Sequence, residues 1–251
     1  MNSCSLLDDK YSSRYWNFIS KAVSQIFDTK PRTSAVKLYF EQIYSIVYKC
    51  VCDGYGEKLY NDLLRQCVEH LEEADQYLTL FECHPHQQND VEKMQYICQF
   101  HELLEAYLAS LQQIVPLFVY MNKFYVEVVM QTSLQAELLL LFLQKVSNKR
   151  MQAITSMVED LLARPFAVRP ELLFSLFNKL HYISVGVYGQ QYPHLFARYV
   201  PGVLPPMKEW EIDEHIEETR ELQYQLRQDL AGATAQGRGR KRRGDECYGP
   251  N

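Results

Sequence analysis

Apolar residues recur every three or four positions through most of the chain, and this helical period is the feature that most constrains the fold. In one stretch Leu59, Leu63, Cys67 and Leu71 follow one another at intervals of four residues, which places them on one face of an α-helix. The chain has only 10 glycines and 10 prolines among 251 residues, too few for the many turns of a sheet-rich fold. The sequence therefore predicts an all-α protein built as a helical bundle.

Turn-forming and helix-breaking residues divide the periodic stretches into separate helices. Ser12 and Ser13 are expected to cap the first helix, and Asn89 or Asp90 the fourth. The long apolar segment from Leu117 to Val146 is expected at the centre of the bundle. The other expected helices lie at about 36–52, 59–71, 151–161, 172–183 and 208–230, with an irregular segment at 184–206.

These helices predict an organisation in five parts. The two larger parts are a first bundle and a smaller group of helices, followed by an acidic amphipathic helix and a tail with too few apolar residues to fold. The predicted boundaries are 1–12 for a flexible N-terminus, 13–148 for the first bundle, 149–206 for the second group, 207–230 for the acidic helix and 231–251 for the disordered basic tail.

Charge is distributed unevenly along the chain. The last twenty-one residues carry five basic and two acidic side chains, which gives this segment a net positive charge. The overall net charge is −5, so the residues before this segment carry a net charge of −8. A bundle of that charge is not expected to bind nucleic acid. The compact basic cluster instead predicts a nuclear-import signal, with a merely solubilising terminus as the alternative. Its members are Arg238, Arg240, Lys241, Arg242 and Arg243.

Hydropathy and cysteine usage predict the compartment. The most apolar run has only six residues, Leu138 to Leu143, far fewer than the roughly 18–20 that a membrane span needs. Asp8 and Asp9 lie where a signal peptide would require an apolar core. The seven scattered cysteines are odd in number and do not suggest a secreted disulfide framework. We expect a protein of the nucleus and cytoplasm, with no membrane contact.

Catalytic motifs are missing from the sequence. It contains no phosphate-binding loop, no dinucleotide fingerprint, no nucleophile elbow and no H-E-x-x-H zinc motif, so we expect neither an enzyme nor a cofactor. Cys83, His86, Cys98 and His101 form two C-x-x-H pairs and are the nearest approach to a zinc site. The alternative is that Cys83 and His86 are solvated and that Cys98 and His101 flank a core stripe.

Several segments resemble the cullin family. Phe40–Tyr48 resembles the cullin "FEELYxxAY" helix, and Gly56–Tyr60 matches the "GEKLY" that follows it. Tyr120–Val126 is similar to "YMDRxYV", and Val187–Phe196 to "VYxxxF" near the end of the resemblance. The order and spacing of these motifs cover residues 14–200. This resemblance implies a cullin-repeat-like bundle, with one five-helix repeat and part of a second.

The resemblance also implies a partner-binding face. In cullins the second and fifth helices of the first repeat bind an adaptor, either a BTB-domain or a Skp-like protein. The cullin half that grips the RING subunit has no counterpart in this sequence, so we do not expect the chain to act alone as a ubiquitin-ligase scaffold. Carried over by motif, the expected partner-binding residues are Leu38, Glu41, Tyr44, Tyr48, Tyr120, Lys123 and Tyr125.

A branch of the family that associates with cyclin-dependent kinases is similar over further segments. These are Tyr39–Cys52, Ile114–Tyr125, Leu204–Pro206 and the basic Arg240–Glu246. The resemblance therefore implies a non-enzymatic interaction protein that regulates the cell cycle by binding such a kinase, ubiquitin-ligase adaptors, or both. An accessory subunit of a cullin-RING ligase and a zinc-binding protein remain the alternatives.

Overall fold

The structure is a computed structural model that describes residues 11–28, 40–80, 89–164, 168–204 and 209–237. All regular secondary structure in these ranges is helical, which confirms the predicted all-α class. The helices are α1 (Ser12–Trp16 continuing as Asn17–Asp28), α2 (Phe40–Cys52), α3 (Gly56–Thr79), α4 (Asp90–Leu117), α5 (Val119–Met121 continuing as Asn122–Met130), α6 (Leu134–Phe142, Leu143–Ser147 and Asn148–Leu162 in one run), α7 (Pro170–Ile183), α8 (Val187–Gln191), α9 (Pro193–Tyr199) and α10 (Glu209–Gly237).

The chain divides into two compact units, residues 1–204 and residues 205–251. The first unit contains α1 to α9, and the second contains α10. Several described side chains of α10 are apolar and exposed, among them Ile212, Ile216 and Leu226. The helix continues to Gly237, so the expected end at residue 230 is wrong by seven residues. The added segment contains three alanines, the residue with the highest helix propensity.

Helix α4 forms the centre of the first unit, because it contacts α1, α2, α3, α5, α6 and α7. Its large side chains Tyr96, Phe100, Leu104 and Ile114 are fully buried. The N-terminus of α4 is held by a capping box in which Asn89 and Glu92 satisfy each other's backbone amides, and Asn89 is one of the two caps expected from the sequence. The expectation that residues 117–146 form the central helix is therefore wrong.

Two breaks explain why residues 117–146 do not form one helix. The chain bends by 70° at Phe118, between α4 and α5. A second break follows at Gln131, which adopts a left-handed conformation with φ of 56°, and Ser133 then caps α6 by accepting a hydrogen bond from the Ala136 amide. Within the described ranges no single helix is long and apolar enough to cross a bilayer.

Helix α6 contains two segments that the sequence predicts as separate helices. Residues 117–146 and 151–161 are expected as different helices, but the backbone stays helical from Leu134 to Leu162. The expected boundary between residues 148 and 149 falls inside this helix, and the division of the bundle into two repeats stays a prediction. The segment 184–206 is also more regular than expected, since it contains α8 and α9.

The start of the bundle also differs from the expectation. Tyr11 is fully buried and contacts the ring of Tyr55 with centroids 5.4 Å apart. The ordered bundle thus includes residues assigned above to a flexible N-terminus. Ser12 and Ser13 lie inside the first helical turn and do not cap it, since Tyr11 is the capping residue. Burial of the Tyr11 ring stabilises the helix start in place of a side-chain cap.

Candidate interaction surface on helices α2 and α5

Helix α2 presents two different faces. Ile43, Val47 and Cys50 are buried against the core. Phe40, Tyr44 and Tyr48 follow one another at intervals of four residues on the other face. Phe40 and Tyr48 are exposed and Tyr44 is half-buried.

The bend at Phe118 brings the start of α5 against α2, and aromatic rings meet at this contact. The ring of Tyr48 lies edge-on to the ring of Tyr120, with centroids 4.6 Å apart. Tyr120 in turn lies 4.3 Å from Phe124, one turn further along α5. The side chain of Tyr48 remains 44% exposed and that of Phe124 58%. We call Tyr44, Tyr48, Tyr120 and Phe124 the aromatic face.

An exposed thiol, that of Cys52, also connects the two helices. The Cys52 Sγ atom donates a long hydrogen bond of 3.8 Å to the Tyr120 hydroxyl. Hydrogen bonding with this thiol raises the pKa of Tyr48 and the pKa of Tyr120 above the usual tyrosine value. Both phenols are neutral at pH 7, as a tyrosine with its usual pKa also is. They offer a neutral polar tip on an apolar ring, the combination that favours tyrosine in protein interfaces.

The structure brings together only part of the expected partner-binding set. Glu41 and Lys123 are exposed on α2 and α5, where they supply charges beside the aromatic rings. Tyr125 is half-buried and packs toward α3, with its ring 5.7 Å from that of Tyr60. Its position therefore favours a role in packing. Leu38 lies outside the described residues.

The aromatic face continues into an apolar strip that the sequence analysis missed. Phe124, Val128, Val129 and Met130 are all exposed along α5. The helical period could have indicated Phe124 and Val128, which follow Tyr120 at intervals of four residues. Burial of this end of α5 was expected from its hydrophobicity, and the break at Gln131 instead leaves it at the surface.

The candidate zinc ligands are only partly described. Cys98 and His101 lie on α4, while Cys83 and His86 lie outside the described residues. The Nε2 atom of His101 is 2.9 Å from the Ser175 hydroxyl on α7, so this imidazole already has a polar neighbour. Within the described part of the chain, no group of three or more histidine, cysteine or carboxylate side chains could hold a metal.

Comparison with known proteins decides the family. The model of the cullin α-solenoid domain matches residues 16–184, a range that includes both helices of the aromatic face. The chain belongs to the cullin family. The match confirms the fold expected from the resemblance, since it covers α2, α3, α5 and their neighbours in one stretch.

Relatives within this family divide into two kinds. The rat CDK2-associated and cullin domain-containing protein 1 is 33% identical over 238 residues, which cover 95% of this chain and 56% of the relative. Cullin-3A of Arabidopsis thaliana is 30% identical over 73 residues, 29% of this chain and 9% of that cullin. The chain thus spans about half the length of the first relative and a small part of the second.

Proposed function

We propose that this chain is a non-enzymatic interaction protein that binds regulatory partners through the aromatic face. The observation that carries the proposal is the pair of ring contacts that Tyr120 makes with Tyr48 and with Phe124, both of which stay exposed on a well-packed bundle. Tyrosine and phenylalanine are enriched in the buried centres of protein interfaces. Glu41 and Lys123 provide the charged rim that sets the orientation of a partner.

We propose a cyclin-dependent kinase as one partner of this face. The support is similarity to the rat relative, which is named for its association with CDK2 and which matches 95% of this chain. Binding of such a kinase would connect the protein to cell-cycle control, including passage from G1 to S phase. The acidic charge of the bundle and the neutral tyrosines suit a protein partner rather than a nucleic acid.

Direct binding of purified proteins tests this proposal. The complete chain and its Tyr48→Ala/Tyr120→Ala variant are titrated with purified CDK2, and with a BTB-domain protein, by isothermal calorimetry. Loss of two central aromatic side chains should weaken binding roughly tenfold or more. The matched control is Tyr182→Ala/Phe174→Ala, which removes two exposed aromatic side chains elsewhere on the same unit.

Three results would contradict the proposal. Wild-type chain that binds neither partner at micromolar concentration excludes a direct role in such complexes. Equal affinity of the wild type and the Tyr48→Ala/Tyr120→Ala variant places binding elsewhere. Equal loss in the control variant assigns the effect to general surface hydrophobicity. Circular dichroism of each variant checks that the helices are retained.

The second candidate function is that of an accessory subunit of a cullin-RING ubiquitin ligase. The specific support is the local similarity to two plant cullin-3 proteins, each about 30% identical over some 70 residues. This function requires co-purification with a RING-containing complex and predicts altered ubiquitin-dependent turnover of its substrates. The kinase proposal requires neither, so affinity purification from cells separates the two.

We also propose that the protein is present in both the nucleus and the cytoplasm. The support is the basic cluster from Arg238 to Arg243, which lies outside the described residues. Replacing Lys241, Arg242 and Arg243 by alanine should shift the protein toward the cytoplasm, as measured by immunofluorescence. An unchanged distribution would assign the cluster a purely electrostatic role.

A further inference from the structure

A second surface of the bundle lies on the side of α3 that faces α1. The two helices enclose an open groove of about 550 Å³. We call this groove the acidic groove. The residues of α1 and α3 that line it are Trp16, Ser20, Ser24, Phe27, Asp28, Asp62, Arg65, Gln66, Glu69, His70 and Glu73. None of the residues of the aromatic face belongs to it, so the two surfaces are separate.

The groove carries unpaired negative charge. Its lining contains four carboxylates and one guanidinium, and that guanidinium, Arg65, is already paired with Asp62. Asp28, Glu69 and Glu73 have no hydrogen bond or ion pair with any part of the chain that the structure describes. Three carboxylates without a partner among the described residues create a local potential around the groove that attracts cations.

A neighbouring side of the same helix shows that this arrangement is not general. On the side of α3 that faces α6, Glu72 pairs with Lys145 at 2.7 Å. Asp75 accepts from both Lys149 and Arg150. The bundle thus pairs Glu72 and Asp75 with basic residues of α6, whereas on the groove side Glu69 and Glu73 have no basic partner among the described residues and only Asp62 is paired, with Arg65. The unpaired side is the one that borders a cavity.

Aromatic surfaces form the wall of the groove between the carboxylates. The ring of Phe27 stacks on the imidazole of His70 with centroids 4.1 Å apart. Trp16 is half-buried near the other end of α1, so part of its indole remains open to the groove. Flat π surfaces beside carboxylates suit a planar cation, which stacks on the ring and donates hydrogen bonds to oxygen in the same plane.

We propose that the acidic groove is a docking site for an arginine-rich segment of a partner protein. The guanidinium group matches both halves of the lining, because its face stacks on Trp16 or on the Phe27–His70 pair while its edge donates to Glu69, Glu73 or Asp28. A lysine ammonium meets the charges but does not stack in this manner. Nucleic acids and acidic peptides are repelled by the same carboxylates.

Tryptophan fluorescence provides a local readout of this site. The chain has two tryptophans, Trp16 and Trp210, so a Trp210→Phe background leaves the indole of the groove as the only reporter. A peptide of six arginines spaced by glycine is titrated into the complete chain while the Trp16 emission is followed. The same peptide with lysine in place of arginine, and spermine at equal charge, measure how much of the binding depends on the guanidinium.

The decisive variant is Glu69→Gln/Glu73→Gln, which removes two charges from the groove and keeps side-chain size. Removal of two exposed carboxylate charges together should weaken binding of the arginine peptide roughly fivefold at low salt. The matched control, Glu102→Gln/Glu159→Gln, removes the same charge from exposed positions on α4 and α6 and should leave the affinity within about twofold.

The possible outcomes distinguish specific docking in the acidic groove from general electrostatic attraction to the chain. A saturable change in Trp16 emission, a preference for arginine over lysine and spermine, and a loss confined to the groove variant support the proposal. Equal losses in both charge variants, equal binding of spermine, or an unchanged Trp16 signal at saturating peptide each overturn it. The groove variants lie outside the aromatic face, so we expect them to leave binding there unchanged, and their failure would not contradict the function proposed above.

Discussion

The seam between α3 and α6 and the face formed by α2 and α5 are both pairs of packed helices, but they use their polar groups differently. At the seam the buried Arg150 guanidinium donates to Asp75, Tyr96 and Thr79. Between α2 and α5 the described residues form no ion pair, and exposed rings and one thiol make the contact. Side chains satisfied within the chain stabilise it, whereas those left exposed remain available to a partner.

The largest expected effect is at the seam. Arg150 is 4% exposed. Burial raises the pKa of Asp75, but the hydrogen bonds and charges of Arg150 and Lys149 together lower that pKa below its usual value. The Arg150→Met variant leaves that carboxylate without its guanidinium. We expect a loss of about 3–5 kcal/mol in the free energy of unfolding, as for other broken buried pairs, measured by urea denaturation.

A neighbouring ion pair supplies the control for this prediction. Lys145 pairs with Glu72 across the same two helices, but both side chains are about a third or more exposed. Lys145→Met should therefore cost less than about 1 kcal/mol. A similar cost for the two variants would show that burial of Arg150 contributes nothing beyond a surface pair.

The next effect is a dependence of the free energy of unfolding on pH, which we expect from histidines in the packed regions and not from the aromatic face. Burial lowers the pKa of His101, and the nearby Lys179 lowers it further against the opposing effect of Glu105 and Glu102. Burial also lowers the pKa of His70. The unfolded chain then binds more protons than the folded chain, so stability is complete above about pH 6.5 and falls as the pH drops below that value.

Urea denaturation at pH 7.5 and pH 5.5 measures this loss. His101→Gln and His70→Gln should each make the difference between the two pH values smaller. The aromatic face contains no histidine, and the pKa values of Tyr48 and Tyr120 are raised, so partner affinity should not follow this pH range through those side chains. A variant lacking both histidines that still loses as much stability on acidification would contradict the assignment.

A smaller effect, and a stabilising one, is expected where the aromatic face ends. Gln131 adopts φ of 56°, a left-handed conformation that costs a residue with a side chain roughly 1 kcal/mol. Gln131→Gly should raise the free energy of unfolding by about 0.5–1 kcal/mol. The control Gln144→Gly, within the helical run of α6, should lower it by about 1 kcal/mol. A loss in both variants would contradict the left-handed assignment.

The smallest change in stability is expected on the aromatic face itself. Tyr48 is 44% exposed and its main described contact is the ring of Tyr120. Tyr48→Ala should lower the free energy of unfolding by less than about 1 kcal/mol. Phe142→Ala, which removes a fully buried ring beside Tyr107, should cost about 3–5 kcal/mol. Similar costs would mean that Tyr48 serves the core.

The sequence predicts the individual helices better than their arrangement. Leu59, Leu63, Cys67 and Leu71 are all buried as their spacing predicts, because the helical period is a local property. The central place of α4 and the burial of Arg150 depend on partners about 70 residues away, and no local pattern specifies them. The left-handed Gln131 also carries no signal, since neither glycine nor proline marks the end of α5.

The candidate site is also predicted only in part from the sequence. The pairing of Tyr48 with Tyr120 comes from the family resemblance, because nothing in the spacing of two residues so far apart indicates contact. Phe124 is missed although it lies one turn from Tyr120. Tyr125 is included because it shares the motif with Tyr120, yet its ring packs toward α3 beside Tyr60.

The 70° bend at Phe118 has a consequence for which states of the chain a partner can recognise. Cys52 and Tyr120 are separated by 68 positions, and α3 and α4 both lie between them. Contacts at such sequence separation carry the entropic cost of closing the intervening chain. The aromatic face therefore exists only where α2 and α5 have been brought together across α3 and α4. We expect a partner that contacts both helices to bind the folded chain and not its separate segments.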